Sequence, residues 1–220
     1  MPRDRFLALA LGAVAALCSA LIIVWSRYRS PRRSRELCSR RIPTGETGEV
    51  TVSNRQVLVL GLDGAGKTSI IHKLCTDDAK TSTSPTQGFN SACITTEAFK
   101  MDLLEIGGSL NLRTYWNLYL KKAAVLVFVL DSANHQRLLL ARQELHRLLD
   151  EAQELPLLVL ANKQDKADAV GISEMHQQLA LHRFGLQRKV TLLGTSATAE
   201  ERGATHRIQD VKTLLTELLS

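Results

Sequence analysis

No two cysteines stand close enough to make a CxxC pair. The four lie at Cys18, Cys38, Cys75 and Cys93, with no Cys/His cluster of four at zinc-site spacing. That excludes a zinc ribbon or a dithiol redox motif and fits a chain kept reduced in the cytosol. The body also lacks a basic surplus. Residues 1–41 hold nine arginines against Asp4 and Glu36, a charge of +7. The whole chain is +6, which leaves 19 basic and 20 acidic groups for residues 42–220. The basic footprint expected of a nucleic-acid-binding domain is therefore absent from the folded part, and no nucleic-acid partner is expected. There is no internal repeat, hence no repeat architecture. His72, His135, His146, His176, His182 and His206 are scattered, and none pairs with a cysteine or serine in a nucleophilic arrangement. At 45% hydrophobic and 23% charged residues the chain is not of disordered composition. The roughly 165 residues after position 55 suit one domain with a sizeable core.

Residues 6–25, FLALALGAVAALCSALIIVW, form a run of 20 without a charge. At about 1.5 Å per residue such a helix spans roughly 30 Å, the thickness of a bilayer's hydrocarbon core. Trp25 and Tyr28 stand at its far end, where amphipathic rings favour the interface. The run reads as a retained transmembrane helix. A cleaved signal peptide competes, because Cys18 and Ala20 are small residues at a permissible spacing, and a buried helix is a third reading. The apolar run continues past Ala20 through Val24, which favours the anchor. Arg27, Arg29, Arg32, Arg33, Arg35, Arg40 and Arg41 follow it, opposed by Glu36 alone. Lys/Arg excess marks the cytoplasmic side. The organisation expected is a stub at 1–5, a single-pass anchor at 6–25, a basic juxtamembrane linker at 26–54 and a cytosolic domain at 55–220. The arginines can sit on anionic headgroups or serve only as a stop-transfer flank. Cys38 is either palmitoylated or a plain thiol. Such an anchor suits the endoplasmic reticulum and the mitochondrial outer membrane alike.

The body alternates apolar runs with amphipathic stretches. Strands are expected at 56–60, 92–99, 101–106, 123–130, 155–161 and 190–193. Helices are expected at 70–74, 135–149, 173–181 (with Ser173 as N-cap) and 208–219, and a loop at 76–87. That order implies an α/β fold, a mostly parallel sheet with helices on both faces. Its ligands bind outside the carboxyl ends of the strands.

The chemistry-bearing motifs fall at such ends. Residues 61–68 read GLDGAGKT, which fits GxxxxGK[ST] after a strand and before a helix. Glycines let the backbone amides turn inward on a phosphate, and the helix N-terminus adds partial positive charge. Asp63, Gly64, Ala65, Gly66, Lys67, Thr68 and Ser69 form the candidate phosphate site. Lys67 reaches the β and γ phosphates, and the Thr68 hydroxyl is a magnesium ligand. Residues 162–165 read NKQD, about 95 residues after that loop in a site of this type. The Asp165 carboxylate can accept both the N1–H and the exocyclic amine of guanine, a pair adenine does not offer. Asn162 can pin the loop and meet N7, and the Lys163 stem can lie along the ring. Ser196 and Ala197 either supply an N–H to guanine O6 or form a solvated turn. Between these motifs, Thr86 offers a second hydroxyl to magnesium, Gly108 an N–H to the γ-phosphate, and Glu105 a carboxylate that holds a magnesium-bound water. Loops ordered by such contacts and released on hydrolysis make a two-state switch.

With GLDGAGKT, PTQGFN, EIGGS, FVLDSAN, ARQELHRLL and LANKQD in place, the chain from about residue 55 to 219 resembles the ADP-ribosylation-factor-like (Arf-like) small GTPases. Within them it resembles a divergent branch that shares a hydrophobic N-terminus and an EIGGS-like segment. The resemblance implies a Ras-like domain with a six-stranded sheet, binding of GTP/GDP and Mg2+, and docking of effectors in the GTP state. It also implies an exchange factor and an activating protein. The family's exposed effector triad maps to Phe89, Leu104 and Tyr119, although all three can be ordinary apolar residues. Three departures stand out. Glu105 replaces the family's aspartate. Ser109 replaces its glutamine, the residue that orients the attacking water, so intrinsic hydrolysis is expected to be slow and no catalytic side chain is assigned. Pro2 excludes N-myristoylation. Two functions remain open: a slow GTPase switch, or a GTP-bound interaction module without turnover. A P-loop phosphotransferase or ATPase is a third reading, but no acceptor site or lid supports it.

Overall fold

The computed structural model describes residues 53–76, 86–96, 98–152, 154–197 and 202–220, with side chains from residue 207 in the last segment. The expected anchor at 6–25, most of the linker, Cys18, Cys38 and residues 77–85 lie outside the described residues. Among the described residues no helix is long and apolar enough to cross a membrane.

Six strands make one sheet: β1 (Ser53–Leu60), β2 (Phe89–Thr95), β3 (Phe99–Ile106), β4 (Val125–Asp131), β5 (Leu157–Asn162) and β6 (Val190–Gly194). The spatial order is β2-β3-β1-β4-β5-β6, parallel throughout except for β2, which runs antiparallel to β3. The helices are α1 (Lys67–Cys75), α2 (Leu110–Arg113), α3 (Trp116–Leu120), α4 (His135–Glu151), α5 (Ile172–Gln178) and α6 (Arg202–Leu219), with a 3-10 turn at Leu181–Arg183.

The core follows from strand pleating, which sends alternate side chains to opposite faces. Leu58, Leu60, Leu126, Phe128 and Leu130 face Leu138, Ala141, Leu145 and Leu148 of α4, together with Trp116. Val57, Val59, Val125, Val127 and Val129 face Ile70 and Ile71 of α1 and Val211, Leu215 and Leu219 of α6. All six residues of β5 are buried, as expected of an inner parallel strand covered on both sides. Each fully buried Leu or Phe contributes about 1.5–3 kcal/mol from apolar transfer.

The expected helices and strands differ from the observed ones mainly at their ends. Phe99 opens β3 rather than closing β2. Thr96 turns the chain there, its Oγ1 donating to Phe99 O (2.8 Å) and accepting from Phe99 N (3.1 Å). Phe99, Met101 and Leu103 then share one buried face. Ser173 is not an N-cap. Gly171 holds that position with extended backbone, α5 begins at Ile172, and Ser173 lies inside the first turn. Ser53 and Asn54 are already strand, paired with Phe99 and Lys100, so β1 begins inside the expected linker. The short helices α2 and α3 carry too few residues for periodicity to reveal them.

The topology locates the site. β1 is flanked by β3 on one side and β4 on the other. Strand order thus reverses beside β1, and the crevice outside its carboxyl end is where such sheets bind ligands.

Candidate functional site

The chain leaves β1 through residues 61–66. Three glycines there take positive φ: Gly61 (141°), Gly64 (76°) and Gly66 (93°). At Gly66 the requirement is double, because a Cβ would also collide with Asn162 Nδ2. Lys67 opens α1 and is 4% exposed. Its Nζ donates to Gly61 O (3.0 Å) and Leu62 O (3.1 Å), so the ammonium lies against the loop backbone. Burial lowers its pKa, and the nearby Glu105 charge opposes that shift. A cation at this point is ready to meet phosphate charge.

Beside it four polar side chains converge. Glu105, 1% exposed, sits next to Ile106, the last residue of β3. Its Oε1 accepts from Thr68 Oγ1 (2.7 Å) and Thr86 Oγ1 (3.1 Å), and its Oε2 from Asn90 Nδ2 (3.1 Å). The two threonine hydroxyls are 2.8 Å apart. The β1–β3 register pairs Val59 with Glu105 and so carries this carboxylate to the mouth of the loop. A hydroxyl–hydroxyl–carboxylate set is hard and all-oxygen, the donor type magnesium takes. The residues present therefore fit that ion.

Gly108 packs so tightly on the phosphate loop that a Cβ would collide with Asp63 N. Ser109 follows at the N-cap position of α2, with no side-chain capping bond.

The expected base-binding residues gather at the ends of β5 and β6. Asn162, 1% exposed, donates from Nδ2 to Ala65 O (2.8 Å), tying this loop to the phosphate loop. Thr195 Oγ1 donates to Asn162 Oδ1 (3.4 Å). Lys163 has φ 67° and its Nζ lies 2.6 Å from Asp131 Oδ2. Asp165 is exposed, with Oδ1 accepting from Ser196 Oγ (2.7 Å). Ala197 is buried beside them. The structure thus brings together the motifs at 61–68 and 162–165 with Thr86, Glu105, Gly108, Ser196 and Ala197.

The effector candidates are only partly united. Phe89 is 46% exposed, and its ring centroid lies 5.3 Å from that of Tyr119. Leu104 is half-buried on β3, across from Ser91. Sequence reasoning missed Tyr115, whose ring is 6.4 Å from Phe89, and the exposed Leu110 and Leu118.

It also missed an ionic brace on Asp63. Arg137 Nη2 lies 2.6 Å from Asp63 Oδ1, and Arg137 Nη1 donates to Asp63 O (2.9 Å). Arg113 donates from Nε to Gly108 O (2.8 Å) and stands 3.7 Å from Asp63 and 3.4 Å from Glu144. The hydrogen bond from Arg137 is the largest effect holding the Asp63 carboxyl below the usual carboxylate range. No local signal marks Arg137, which lies 74 residues from Asp63.

The model of the ADP-ribosylation factor family matches residues 48–215. Human ADP-ribosylation factor-like protein 9 is 48% identical over 165 residues, 75% of this chain and 88% of that protein. Mouse ADP-ribosylation factor-like protein 10 is 40% identical over 210 residues, 86% of each. Among solved structures, the Trypanosoma brucei Arl6 BBS3 small GTPase with bound GppNp superposes with a TM-score of 0.64. It covers 76% of this chain and all of its own, and at 23% identity it shows a shared fold.

Proposed function

Since the chain belongs to the ADP-ribosylation factor family, we propose that it is a membrane-anchored guanine-nucleotide switch with slow intrinsic hydrolysis. The observation that carries this reading is the meeting of Lys67, Thr68, Thr86 and Glu105 around a glycine loop that Asn162 ties to the NKQD segment.

In this reading the backbone amides of residues 63–69 surround the β-phosphate, as in other glycine loops at a helix N-terminus. Lys67 offers its ammonium to the β and γ phosphates, and Gly108 offers its N–H to the γ-phosphate. Asp165 accepts from guanine, with its carboxylate oriented by Ser196. Lys163 is steadied by Asp131, and Ser196 and Ala197 close the base edge. Thr68 and Thr86 would ligate magnesium and Glu105 would hold a water on it; the ion, when bound, would offset phosphate charge. Phe89, Leu104 and Tyr119, with Tyr115 beside them, form the face on which effectors dock. Residues 6–25 hold the domain at the cytosolic face of a membrane. An exchange factor and an activating protein would move the cycle. An arginine supplied by an activating protein is worth 10³–10⁵ in rate in related enzymes.

A second reading is favoured by Ser109, whose side chain is too short to orient water as glutamine does. In that reading the protein is a GTP-bound interaction module with no meaningful turnover.

The test is the nucleotide carried by the full chain, purified in detergent with Mg2+ and identified by chromatography after release. Mostly GDP is expected of a cycling switch. Mostly GTP would favour the interaction module. A protein that neither carries nor takes up guanine nucleotide would overturn both readings.

A further inference from the structure

Three oxygen atoms at the mouth of the phosphate loop stand at the mutual distances of one face of a magnesium octahedron. Thr68 Oγ1 and Thr86 Oγ1 are 2.8 Å apart, Thr68 Oγ1 and Glu105 Oε1 2.7 Å, and Thr86 Oγ1 and Glu105 Oε1 3.1 Å. Magnesium binds oxygen octahedrally at about 2.0–2.1 Å, so neighbouring ligands lie about 2.9 Å apart, the bond length times √2. The three atoms come from separate parts of the chain: the first turn of α1, the segment before β2, and β3. No local turn forces them into this triangle.

Two further features fit a directly bound ion. Asn90 Nδ2 occupies Glu105 Oε2 at 3.1 Å. That leaves Oε1 to turn inward and makes the carboxylate a one-oxygen ligand, as a small ion with a strict octahedron requires. Glu105 is also 1% exposed. A buried carboxylate demands compensation; three neutral donors supply it here, and the nearby Lys67 ammonium donates to backbone carbonyls of the loop, so the carboxylate's charge is left for a cation to offset.

We propose that Glu105 ligates magnesium directly, taking a coordination position that a shorter aspartate would leave to a water. The ion is then held by three protein oxygens instead of two. The additional methylene advances the carboxylate by about 1.5 Å, the kind of step that turns a water-bridged contact into a direct one. The opposite face of the octahedron remains for phosphate oxygens and a single water. This inference rests on the reading of the site as one for a magnesium–guanine-nucleotide complex.

The experiment counts waters on the metal. The full chain is loaded with a non-hydrolysable GTP analogue and Mn2+ in place of Mg2+. Broadening of the Mn2+ electron paramagnetic resonance lines in 17O-enriched water then gives the number of bound waters. One is expected for the wild type and two for Glu105→Asp. Two in both would overturn the proposal while leaving nucleotide binding intact. Glu105→Gln is the second variant, read by nucleotide release as the metal is titrated. It should need about tenfold more metal, or beyond, for half-maximal retention, and an unchanged requirement would overturn direct ligation. A wild-type chain that takes up no nucleotide would fail at the loading step, an outcome that sinks the functional reading itself.

Discussion

Ser109 stands where α2 begins, and its carbonyl accepts from Leu112 N (2.9 Å) and Arg113 N (3.2 Å). Its backbone is thus committed to starting the helix, while its side chain makes no capping bond. Replacing that side chain tests chemistry more than folding. Ser109→Gln should raise single-turnover GTP hydrolysis by an order of tenfold or more, measured as phosphate release, because a positioned side chain of this kind typically contributes at least that much. No increase would place the slow step elsewhere. Asp63 shows the opposite relation, a loop residue whose charge matters to stability. Arg137 depresses its pKa, so the brace contributes in full above the ordinary carboxylate pKa of about 3.9. The contribution is lost as pH falls through the lower folded-state value.

Helix α4 shows how an element is finished by residues far from it. Leu138, Ala141, Leu145, Leu148 and Leu149 are buried along one face, and that spacing made the helix legible in the sequence. Its carboxyl end was not legible. Arg188, 37 residues beyond Glu151, donates from Nη2 to Leu149 O (2.8 Å) and from Nη1 to Ala152 O (2.5 Å), with its guanidinium 5.6 Å from the Phe184 ring centre. A cation on the last carbonyls satisfies orphan acceptors and the helix dipole together. Arg188→Ala should cost about 1–3 kcal/mol of unfolding free energy, since buried carbonyls lose their partner. Arg188→Lys should recover only part of that loss, because one ammonium lacks the planar fork that reaches both carbonyls. Urea unfolding monitored by circular dichroism reads both variants.

For the whole molecule, charge and hydropathy divide the chain at about residue 41. The apolar run at 6–25 and the arginines after it carry the expectation of an anchor with the domain in the cytosol. The full chain should remain with membranes after alkaline carbonate extraction, and deletion of residues 1–41 should move it to the supernatant. A full chain released by carbonate would refute the spanning segment.

The motifs at 61–68 and 162–165 were legible because each is a continuous stretch whose chemistry lies in neighbouring residues. The parallel sheet was legible because buried strands leave apolar runs that survive in one dimension. The sequence named Thr68, Thr86 and Glu105 for one ion and Asn162 as a loop pin, but which atoms meet was not legible. Glu105 reaches Thr68 through the β1–β3 register, Asn162 reaches Ala65 across 97 residues, and Arg137 reaches Asp63 across 74. Sequence by itself determined which groups the protein owns: a glycine loop ending in a lysine, the NKQD carboxylate, two hydroxyls and a glutamate. Only the tertiary structure decided that the glutamate and the two hydroxyls form a triangle of oxygens suited to one ion. Side-chain distances of a few ångströms are set by strand pairing and helix placement, which depend on the packing of the whole core.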